Sequence, residues 1–371
     1  MAQGGEDSPL RMLSRRPHLN RLLQTLSEAR GRIMRAPGQT HEITVSRGQL
    51  LKARHSWSQL LREGEKSLHR LCALLSDHLF VQPALREGPD QSVPRTAIPN
   101  TLIRSKVIGA LPRSGERFTL TQRVTPRLLL SASDLDLGYR LLSRLRHRDH
   151  GVWSTPELVA SMVEYQPTVP NPHNVQKMIS RVKAEEELWN KVCDELFDLD
   201  SLVRKDKKLR PLSRYIKDVF GIKLVVANPD EVMPLQRVIE GLTFTDEALR
   251  RRRVHPGPDV GRLEFTEVKD YHTDPKGSGW RAVKSVVRWR GRTFEIQVQG
   301  LANYLLEQEW LTQESHASFK QRRERIRDEV ARQIPLFGFY RDLLMWLVLG
   351  PEGTHQAEVP THPGVHVVIT D

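Results

Sequence analysis

Cysteine is scarce in this sequence, because the 371 residues contain only Cys72 and Cys193. Two cysteines so far apart provide neither a disulfide framework nor a CxxC pair of metal ligands. Both lie in helical patterns, so we expect two buried free thiols in a reducing compartment. The sequence therefore excludes a disulfide-stapled domain and a zinc site built on cysteine pairs.

Long apolar runs are also absent. The longest, residues 343–349, is far too short to cross a bilayer, and residues 1–9 lack the apolar core of a signal peptide. No internal repeat is present. With 38% hydrophobic and 27% charged residues, we expect a soluble cytoplasmic protein of one large domain or two domains, without a membrane span.

Positive charge is unevenly distributed along the chain. Residues 1–150 contain 25 Lys and Arg against 13 Asp and Glu, whereas the remaining 221 residues contain 32 of each, so the first part carries the whole net charge of +12. Such an excess would attract RNA, the ribosome or anionic lipid. The alternative is that the Arg-rich composition of a GC-rich genome raises the count without any polyanionic partner.

The first part of the chain is expected to be mainly helical. Apolar spacing predicts helices over residues 18–36 and 48–80, whereas the proline-punctuated residues 82–128 are expected to be irregular. Two more helices are expected, one over residues 133–146 with Ser133 as N-cap, and one that starts at Thr155-Pro156-Glu157. Three prolines between residues 166 and 173 mark a domain boundary. Residues 1–166 would then be a basic N-terminal region of unknown role.

From residue 174 onward the pattern changes to a mixture of strands and helices. One long helix is predicted over residues 175–198. The expected strands cover residues 220–226, 263–270, 282–289 and 293–298, and further helices cover 230–242 and 301–333. The fold class is therefore α+β, with a small mixed sheet of about five strands flanked by helices over 174–333. Residues 334–371 form an apolar, then Pro/His-rich tail, which docks on the core or on another subunit.

Polar and apolar residues alternate in the predicted strand over 293–298. Because residues two apart in a strand point to the same face, Glu295 and Gln297 share one face while Ile296 and Val298 point to the core. Asp218 lies just before the strand over 220–226. Carboxylates from two strands, together with substrate phosphate oxygens, suit Mg²⁺. The alternatives are that Asp218 caps a turn and that Glu295 forms a surface ion pair.

Two basic segments are candidates for binding phosphate. Arg181, Lys183 and Lys191 lie on the predicted long helix, where positions 181 and 191 point in directions that agree within about 80°. They could contact a polyphosphate from one side, or they could form a solvated face. The run from Arg250 to Arg253, followed by His255, could bind phosphates of an acceptor or effector, or could be a solvated loop.

The motifs of the second half match one family in order and spacing. They are Lys269-Asp270-Tyr271, Pro275-Lys276, Gly279-Trp280-Arg281-Ala282-Val283-Lys284 and Glu295-Ile296-Gln297, preceded by Arg181-x-Lys183, Lys191 and Asp218-x-x-Gly221-Ile222-Lys223, and followed by His316-x-x-Phe319-Lys320. Over roughly residues 174–325 the chain resembles the synthetase domain of the RelA/SpoT-type alarmone synthetases. No hydrolase metal site is expected, because Asp149-His150 has the reverse order of the family's His-Asp pair.

The resemblance implies a nucleotidyltransferase-like fold and a pyrophosphokinase of the stringent response. Such an enzyme transfers the β,γ-pyrophosphate of ATP to the 3′-hydroxyl of GDP or GTP to make (p)ppGpp. The resemblance assigns catalysis and Mg²⁺ binding to Asp218 and Glu295. It assigns ATP binding to Arg181, Lys183, Lys191 and Lys276. It assigns acceptor binding to Lys269, Tyr271, Trp280, Lys284 and Gln297.

Four departures from the family pattern keep other functions open. Glu187 replaces a serine and would repel a triphosphate, Trp280 replaces a tyrosine, and Lys284 replaces a histidine. Lys223 replaces an arginine, which keeps the charge but loses the two-pronged hydrogen bonding of a guanidinium. Tryptophan still stacks on any base, whereas a lysine suits phosphate more than base edges. The alternatives are a toxin-like relative that pyrophosphorylates the 3′ end of tRNA, and a non-catalytic module that binds nucleotide or RNA. A homo-oligomer is also compatible with the sequence.

Overall fold

The computed structural model describes residues 16–81, 101–111, 113–114, 116–182, 185–197, 220–275, 279–313, 327–350 and 358–371. The elements, in chain order, are α1 (Pro17–Arg35), β1 (His41–Ser46), α2 (Arg47–Leu79), β2 (Thr101–Ala110), β3 (Arg117–Arg123), α3 (Pro126–Ser131), α4 (Asp134–Leu142), β4 (His147–Asp149), β5 (Val152–Ser154), β6 (Glu157–Pro167), β7 (Val175–Val182), α5 (Glu185–Leu196), β8 (Phe220–Val226), a 3₁₀ turn (Pro229–Glu231), α6 (Val232–Glu240), α7 (Asp246–Arg251), β9 (Glu264–Asp270), β10 (Val283–Trp289), β11 (Arg292–Gly300), α8 (Leu301–Gln313), α9 (Pro335–Leu349) and β12 (Val365–Thr370). Residues 327–333 are also helical.

The chain divides into two compact units. Unit 1 comprises residues 1–61, 184–217 and 310–371, and unit 2 comprises residues 62–183 and 218–309. Helix α2 contributes its first half to unit 1 and its second half to unit 2. Within the described part of the chain, no helix combines the length and apolar character needed to cross a membrane.

Unit 1 is held together by aromatic and apolar side chains on its helices. Trp57 of α2 packs on Trp189 of α5, with ring centroids 4.9 Å apart. The apolar segment predicted to dock forms α9, and Tyr340 on this helix donates a hydrogen bond to the Leu26 carbonyl of α1 over 3.0 Å. The tail therefore docks within its own chain, and its last strand β12 pairs in parallel with β1.

Unit 2 is built around an eight-stranded sheet with the order β3-β2-β6-β7-β8-β11-β10-β9. All neighbouring strands are antiparallel except β8 and β11, which are parallel. The α+β class is therefore confirmed. The sheet has eight strands instead of about five, because β2, β3, β6 and β7 extend it through the region before residue 183.

The two faces of this sheet differ in chemistry. On one face Phe220 and Ile222 of β8 lie beside Phe294 and Ile296 of β11, all at most 2% exposed. Gly64 of α2 packs directly on the ring of Phe220, so the second half of α2 covers this apolar face. Because side chains alternate along strands, the opposite face carries the intervening polar residues. We call it the polar face.

Several predicted elements are confirmed. The helices α1 and α2, the strands β8 to β11 and the helix α6 lie where the patterns predicted them. Ser133 caps α4, because its hydroxyl accepts the Asp136 N–H and the Asp136 carboxylate accepts the Ser133 N–H. The predicted hairpin between β10 and β11 turns through Arg290 and Gly291, both with positive φ. Cys72 and Cys193 are buried free thiols.

Three other predictions are wrong. Residues 101–110 and 117–123, expected to be irregular, form two strands. Thr155-Pro156-Glu157 precedes strand β6 instead of a helix. The predicted long helix over residues 175–198 is a strand, β7, followed by a separate helix, α5. Strand pairing with β6 and β8 decides the conformation of β7, because neighbours in a sheet override the local helical spacing.

Candidate active site on the polar face of the sheet

The strand register brings distant residues into two rows across the polar face. Directly opposite residues on neighbouring strands share a face. One row runs through five strands and consists of Ile179, Lys223, Gln297, Lys284 and Lys269. The next row consists of Arg181, Gly221, Glu295, Val286 and Glu267. The sheet therefore places six of the polar side chains singled out in the sequence on one surface.

Gly221 leaves an opening at the centre of the second row. It lies between Arg181 on β7 and Glu295 on β11. Among the described residues, a Cβ atom built on Gly221 would approach only the Arg181 carbonyl, at 3.9 Å. No side chain of the described residues covers the strand at this point, between a cation and a carboxylate, and a glycine there lets a ligand approach the backbone closely.

The carboxylate of Glu295 forms an ion pair with Lys284. The two residues are diagonal neighbours on β11 and β10, since Glu295 is opposite Val286 and Lys284 is opposite Gln297. The Glu295 side chain is 12% exposed and that of Lys284 is 32% exposed. The lysine that replaces the family's histidine therefore neutralises the carboxylate to which the motifs assign catalysis.

A second ion pair links the sheet to helix α8. Lys223 Nζ lies 2.7 Å from each carboxylate oxygen of Glu307, and Gln299 donates a hydrogen bond to the same carboxylate over 3.0 Å. Burial lowers the pKa of Lys223, whereas the charge and hydrogen bonds of Glu307 act to raise it. The charge of Arg181 also acts to lower this pKa, and the charge of Glu295 acts to raise it. These four charged groups therefore interact electrostatically.

Amide side chains continue this network along the face. Gln297 donates a hydrogen bond to the Gln299 side-chain oxygen over 2.8 Å, and Asn303 of α8 donates to the same oxygen over 3.0 Å. The Asn303 oxygen in turn accepts the backbone N–H of Arg281 over 3.1 Å. Helix α8 thereby fixes both the orientation of Gln297 and the start of the segment before β10.

The connection between β9 and β10 presents two aromatic rings. The rings of Tyr271 and Trp280 lie 5.8 Å apart at an angle of 57°. The Asp270 carboxylate holds the turn by accepting the backbone N–H groups of His272 and Thr273, each over 2.9 Å. Hydrogen bonds from Thr273 and His272 lower the pKa of Asp270. Both rings are partly exposed, so they remain accessible to a planar ligand.

Some of the predicted site residues cannot be placed. Lys183, Asp218 and Lys276 lie outside the described residues, as do His316, Phe319 and Lys320. Lys191 belongs to α5, but its side chain is outside the described part, as is that of Glu187. Arg181 is on strand β7, so the prediction that it shares a helix with Lys191 is wrong.

Three residues of the network were missed by sequence reasoning: Asn303, Tyr304 and Glu307 of α8. Asn303 and Glu307 are four residues apart, so they share one side of a helix that begins directly after β11. That spacing was a usable signal. Tyr304 packs against Ile179 and Val225, and Lys223 lies 5.8 Å from its ring centroid.

The described residues include few that could bind Mg²⁺. None of them form a group of three or more His, Cys, Asp or Glu with the arrangement of a metal site. Glu295 is the one predicted ligand within the described ranges, and it is paired with Lys284. Mg²⁺ is often bound through one or two carboxylates together with substrate phosphates. Among the described residues, Glu295 is therefore the carboxylate that could join the phosphate oxygens of a nucleotide in binding such an ion.

Comparison with solved structures returns the same family that the motifs resemble. Small alarmone synthetase 2 from Bacillus subtilis is 18% identical, covers 45% of this chain and 77% of its own, and has a TM-score of 0.25. Small alarmone synthetase 1 from Bacillus subtilis, bound to its product pppGpp, is 15% identical, covers 45% and 78%, and has a TM-score of 0.22. A GTP pyrophosphokinase family protein from Streptococcus pneumoniae is 18% identical, covers 47% and 72%, and has a TM-score of 0.25.

These similarities are low in identity and in TM-score, and they do not define a reaction or a substrate. No protein-family model matches the sequence, and no curated protein matches it.

Proposed function

We propose that the polar face is the active site of a nucleotide pyrophosphokinase that makes (p)ppGpp. The enzyme would transfer the β,γ-pyrophosphate of ATP to the 3′-hydroxyl of GDP or GTP. The observation that carries this proposal is the strand register, which sets Arg181, Glu295 and Lys284 around the backbone of Gly221. Phosphoryl transfer needs mainly positioning and cationic stabilisation from a protein, and this surface supplies both.

Arg181 is the described residue best suited to bind the ATP phosphates. Its side chain is exposed, and among the described residues no ion pair occupies its guanidinium. Guanidinium groups bind phosphate oxygens through two parallel hydrogen bonds. The motifs add Lys183, Lys191 and Lys276 to the donor side. Together these cations would stabilise the charge that moves onto the departing phosphate.

The acceptor would bind the polar face on the side of strands β9 and β10, away from Arg181. A guanine base would stack on Trp280 and Tyr271, since aromatic rings bind bases through their faces. Lys269 and Gln297 lie in one row with Lys284 and would contact the ribose and the phosphates of the acceptor. The hydrogen bond from Gln297 to Gln299 keeps this amide oriented before the acceptor arrives.

In the transfer step, the 3′-oxygen of the acceptor bonds to the β-phosphorus of ATP. The bond between that phosphorus and the oxygen bridging to the α-phosphate breaks, and AMP leaves. Glu295 would accept the proton of the 3′-hydroxyl, provided that the hydroxyl comes within hydrogen-bond reach. Lys284, which forms an ion pair with Glu295, would position the carboxylate for this step. Mg²⁺, held by Asp218 and Glu295, would neutralise charge on the triphosphate.

A labelling assay tests this proposal. Purified protein is incubated with γ-³²P-labelled ATP and Mg²⁺, and GDP, GTP or bulk tRNA is added in separate reactions. We expect label in a guanosine nucleotide and a stoichiometric release of AMP. Glu295→Gln should lower the rate by about 10²- to 10⁴-fold, the usual contribution of a general base. Glu264→Gln is the matched control, because Glu264 is an exposed carboxylate on β9 that pairs with Arg288.

The other outcomes identify the remaining candidates. Label on tRNA would support the toxin-like activity, which Lys284 favours because it suits a phosphate-rich acceptor. ATP binding without transfer to any acceptor would support a non-catalytic nucleotide-binding module. The ion pair between Glu295 and Lys284 favours this non-catalytic module. Near-normal transfer by Glu295→Gln would refute the assignment of Glu295.

A further inference from the structure

The hairpin formed by β4 and β5, within unit 2, exposes a tryptophan beside an arginine. The two strands form a small sheet of their own, and Arg148 lies directly opposite Trp153 in its register. Residues in this relation share a face, with Cβ atoms about 4.5–5.5 Å apart. Trp153 is 67% exposed, the highest value among the large apolar side chains of the described residues. A planar ligand can therefore reach the ring on the face that also carries a guanidinium.

Arginine is concentrated in this hairpin and in the segment before it. Exposed arginines occupy positions 140, 144, 146 and 148, and Asp149 is the one acidic residue of the sequence between residues 139 and 153. Residues 101–154 contain ten Lys and Arg against four Asp and Glu. This stretch of unit 2 therefore accounts for half of the net charge of +12, and the hairpin lies at its end.

The hairpin is anchored at both ends and closed by a tight turn. Leu142, in the last turn of the preceding helix α4, packs over Gly109 of β2, and the following strand β6 is paired on both sides within the large sheet. The loop residues His150 and Gly151 both have positive φ, as a type I′ turn requires. Arg148 Nε donates a hydrogen bond to the Gly151 carbonyl over 3.2 Å. Such preorganisation lowers the entropic cost of binding a ligand.

A basic surface with an exposed ring suits either a single-stranded nucleic acid or an anionic membrane, and the apolar side chains favour the nucleic acid. Val152 and Trp153 are neighbours on β5, so they point to opposite faces of the hairpin. They do not form the single apolar face with which a peptide enters a bilayer interface. A lone ring among arginines is typical of surfaces on which unpaired bases stack while the cations bind phosphates.

We infer that the β4–β5 hairpin binds a single-stranded nucleic acid. One unpaired base would stack on Trp153, and Arg148 would bind an adjoining phosphate through its terminal nitrogens. Arg144 and Arg146, in the connection from α4 to β4, would bind further phosphates along the strand. None of these residues belongs to the polar face, so the hairpin would bind its ligand whether or not pyrophosphate transfer occurs there.

Fluorescence anisotropy of the whole protein tests the role of the ring. The probes are a labelled RNA strand of about 12 nucleotides and the DNA strand of the same sequence. Trp153→Ala should weaken binding at least about fivefold, the lower end of what stacking on one ring contributes. Trp153→Phe retains a ring and should stay within about threefold of the wild type. Because the side chain is exposed, both variants should keep the wild-type melting temperature.

The role of the arginines is tested by salt dependence. Arg148→Gln should weaken binding and reduce the slope of log K against log salt by about one phosphate contact. Arg250→Gln is the matched control, because it removes the same charge from an exposed position on α7, where Asp246 already pairs with it. Inorganic polyphosphate has no bases, so Arg148→Gln should weaken its binding whereas Trp153→Ala should not.

Three results would overturn the inference. Equal affinity of wild type and Trp153→Ala for both oligonucleotides would exclude stacking on this ring. A duplex of the same sequence, bound as tightly as the single strand, would mean that unpaired bases are not recognised. Binding to phosphatidylserine vesicles without binding to either oligonucleotide would identify a lipid surface. Tighter binding of the RNA or of the DNA strand would support the inference and identify the natural ligand. Because the assay contains no ATP, its outcome is independent of the transfer assay.

Discussion

At the scale of single residues, the pair between Lys223 and Glu307 connects β8 to α8 on the polar face. Their side chains are only 20% and 25% exposed, so removing one partner leaves the other charge poorly solvated. Breaking a fully buried pair costs about 3–5 kcal/mol. Because this pair retains some solvent contact, we expect Glu307→Gln to lower the free energy of unfolding by about 2 kcal/mol at neutral pH. Urea denaturation measures this difference.

The same pair predicts a pH dependence of stability. Burial alone would raise the pKa of Glu307, but the charge and hydrogen bonds of Lys223 outweigh it, so the folded pKa lies below the ordinary value of 4.5. The stabilisation is therefore complete above the unfolded pKa and is lost as the pH falls through the folded pKa. The wild-type advantage over Glu307→Gln should shrink below about pH 4.5.

A control separates this effect from general acid denaturation. Glu329 forms an exposed pair with Arg332 on the same helical turn, and exposed pairs contribute about 0–1 kcal/mol. The free energy of unfolding of Glu329→Gln should vary with pH as that of the wild type does throughout the acid range. If the difference in the free energy of unfolding between wild type and Glu307→Gln stays constant down to about pH 3, the pair between Lys223 and Glu307 does not stabilise the fold in this way.

At the scale of elements, the fit of α2 on the sheet depends on Gly64. A methyl group at this position would overlap the ring of Phe220, which packs on Phe294 with ring centroids 5.9 Å apart. Overpacking a core usually costs about 1–3 kcal/mol, and alanine returns part of that through its helix propensity. We expect Gly64→Ala to lower the free energy of unfolding by about 2 kcal/mol.

Gly48 of the same helix provides the comparison. A Cβ atom built there meets no described residue within 4 Å, so Gly48→Ala should leave stability unchanged or raise it by up to about 1 kcal/mol. Thermal unfolding of the two variants measures the difference. Equal melting temperatures would mean that α2 moves away from Phe220 without penalty.

The elements also show which parts of the fold were readable from sequence. Strands β10 and β11 were predicted because alternation and a glycine turn are local signals. Strand β7 was not, since Val175, Met178, Ile179 and Val182 are spaced like one face of a helix. Only its pairing with β6 and β8, which are far away in sequence, makes this segment extended.

The sequence predicted only part of the candidate site, because its patterns are local and do not show which strands become neighbours. Alternation along β11 placed Glu295 and Gln297 on one face, as the structure has them. Which residues oppose them is set by strand order and register, which no local pattern encodes. The approach of Lys284 to Glu295 and the place of Arg181 beside Gly221 therefore required the structure.

At the scale of the whole molecule, the sheet contains strands from both sides of the boundary expected near residue 170. A fragment of residues 174–333 would lack β6, the partner of β7, and α2, which covers Phe220. It would also lose the ion pairs from Arg252 to Asp77 and from Arg292 to Glu63. We expect this fragment not to unfold cooperatively, whereas the whole chain does.

Near-ultraviolet circular dichroism during heating tests this expectation, because the buried Trp289 reports on ordered packing. The fragment should show no sigmoidal transition. A cooperative transition in the fragment, at a temperature near that of the whole chain, would mean that residues 174–333 form an independent domain after all.

The last strand of the sheet, β9, ends one side of the hydrogen-bonded array and carries Glu264, Glu267, Lys269 and Asp270. A strand from another molecule that tried to add there would have to desolvate these charges, which discourages edge-to-edge association. Lys269, which would contact the acceptor in our proposal, is thus also one of the charges that discourage another strand from pairing with this edge. Replacing Glu264, Glu267 and Asp270 with valine and threonine would leave an edge strand with Lys269 as its one charged residue, which is more prone to pair with the edge of another molecule.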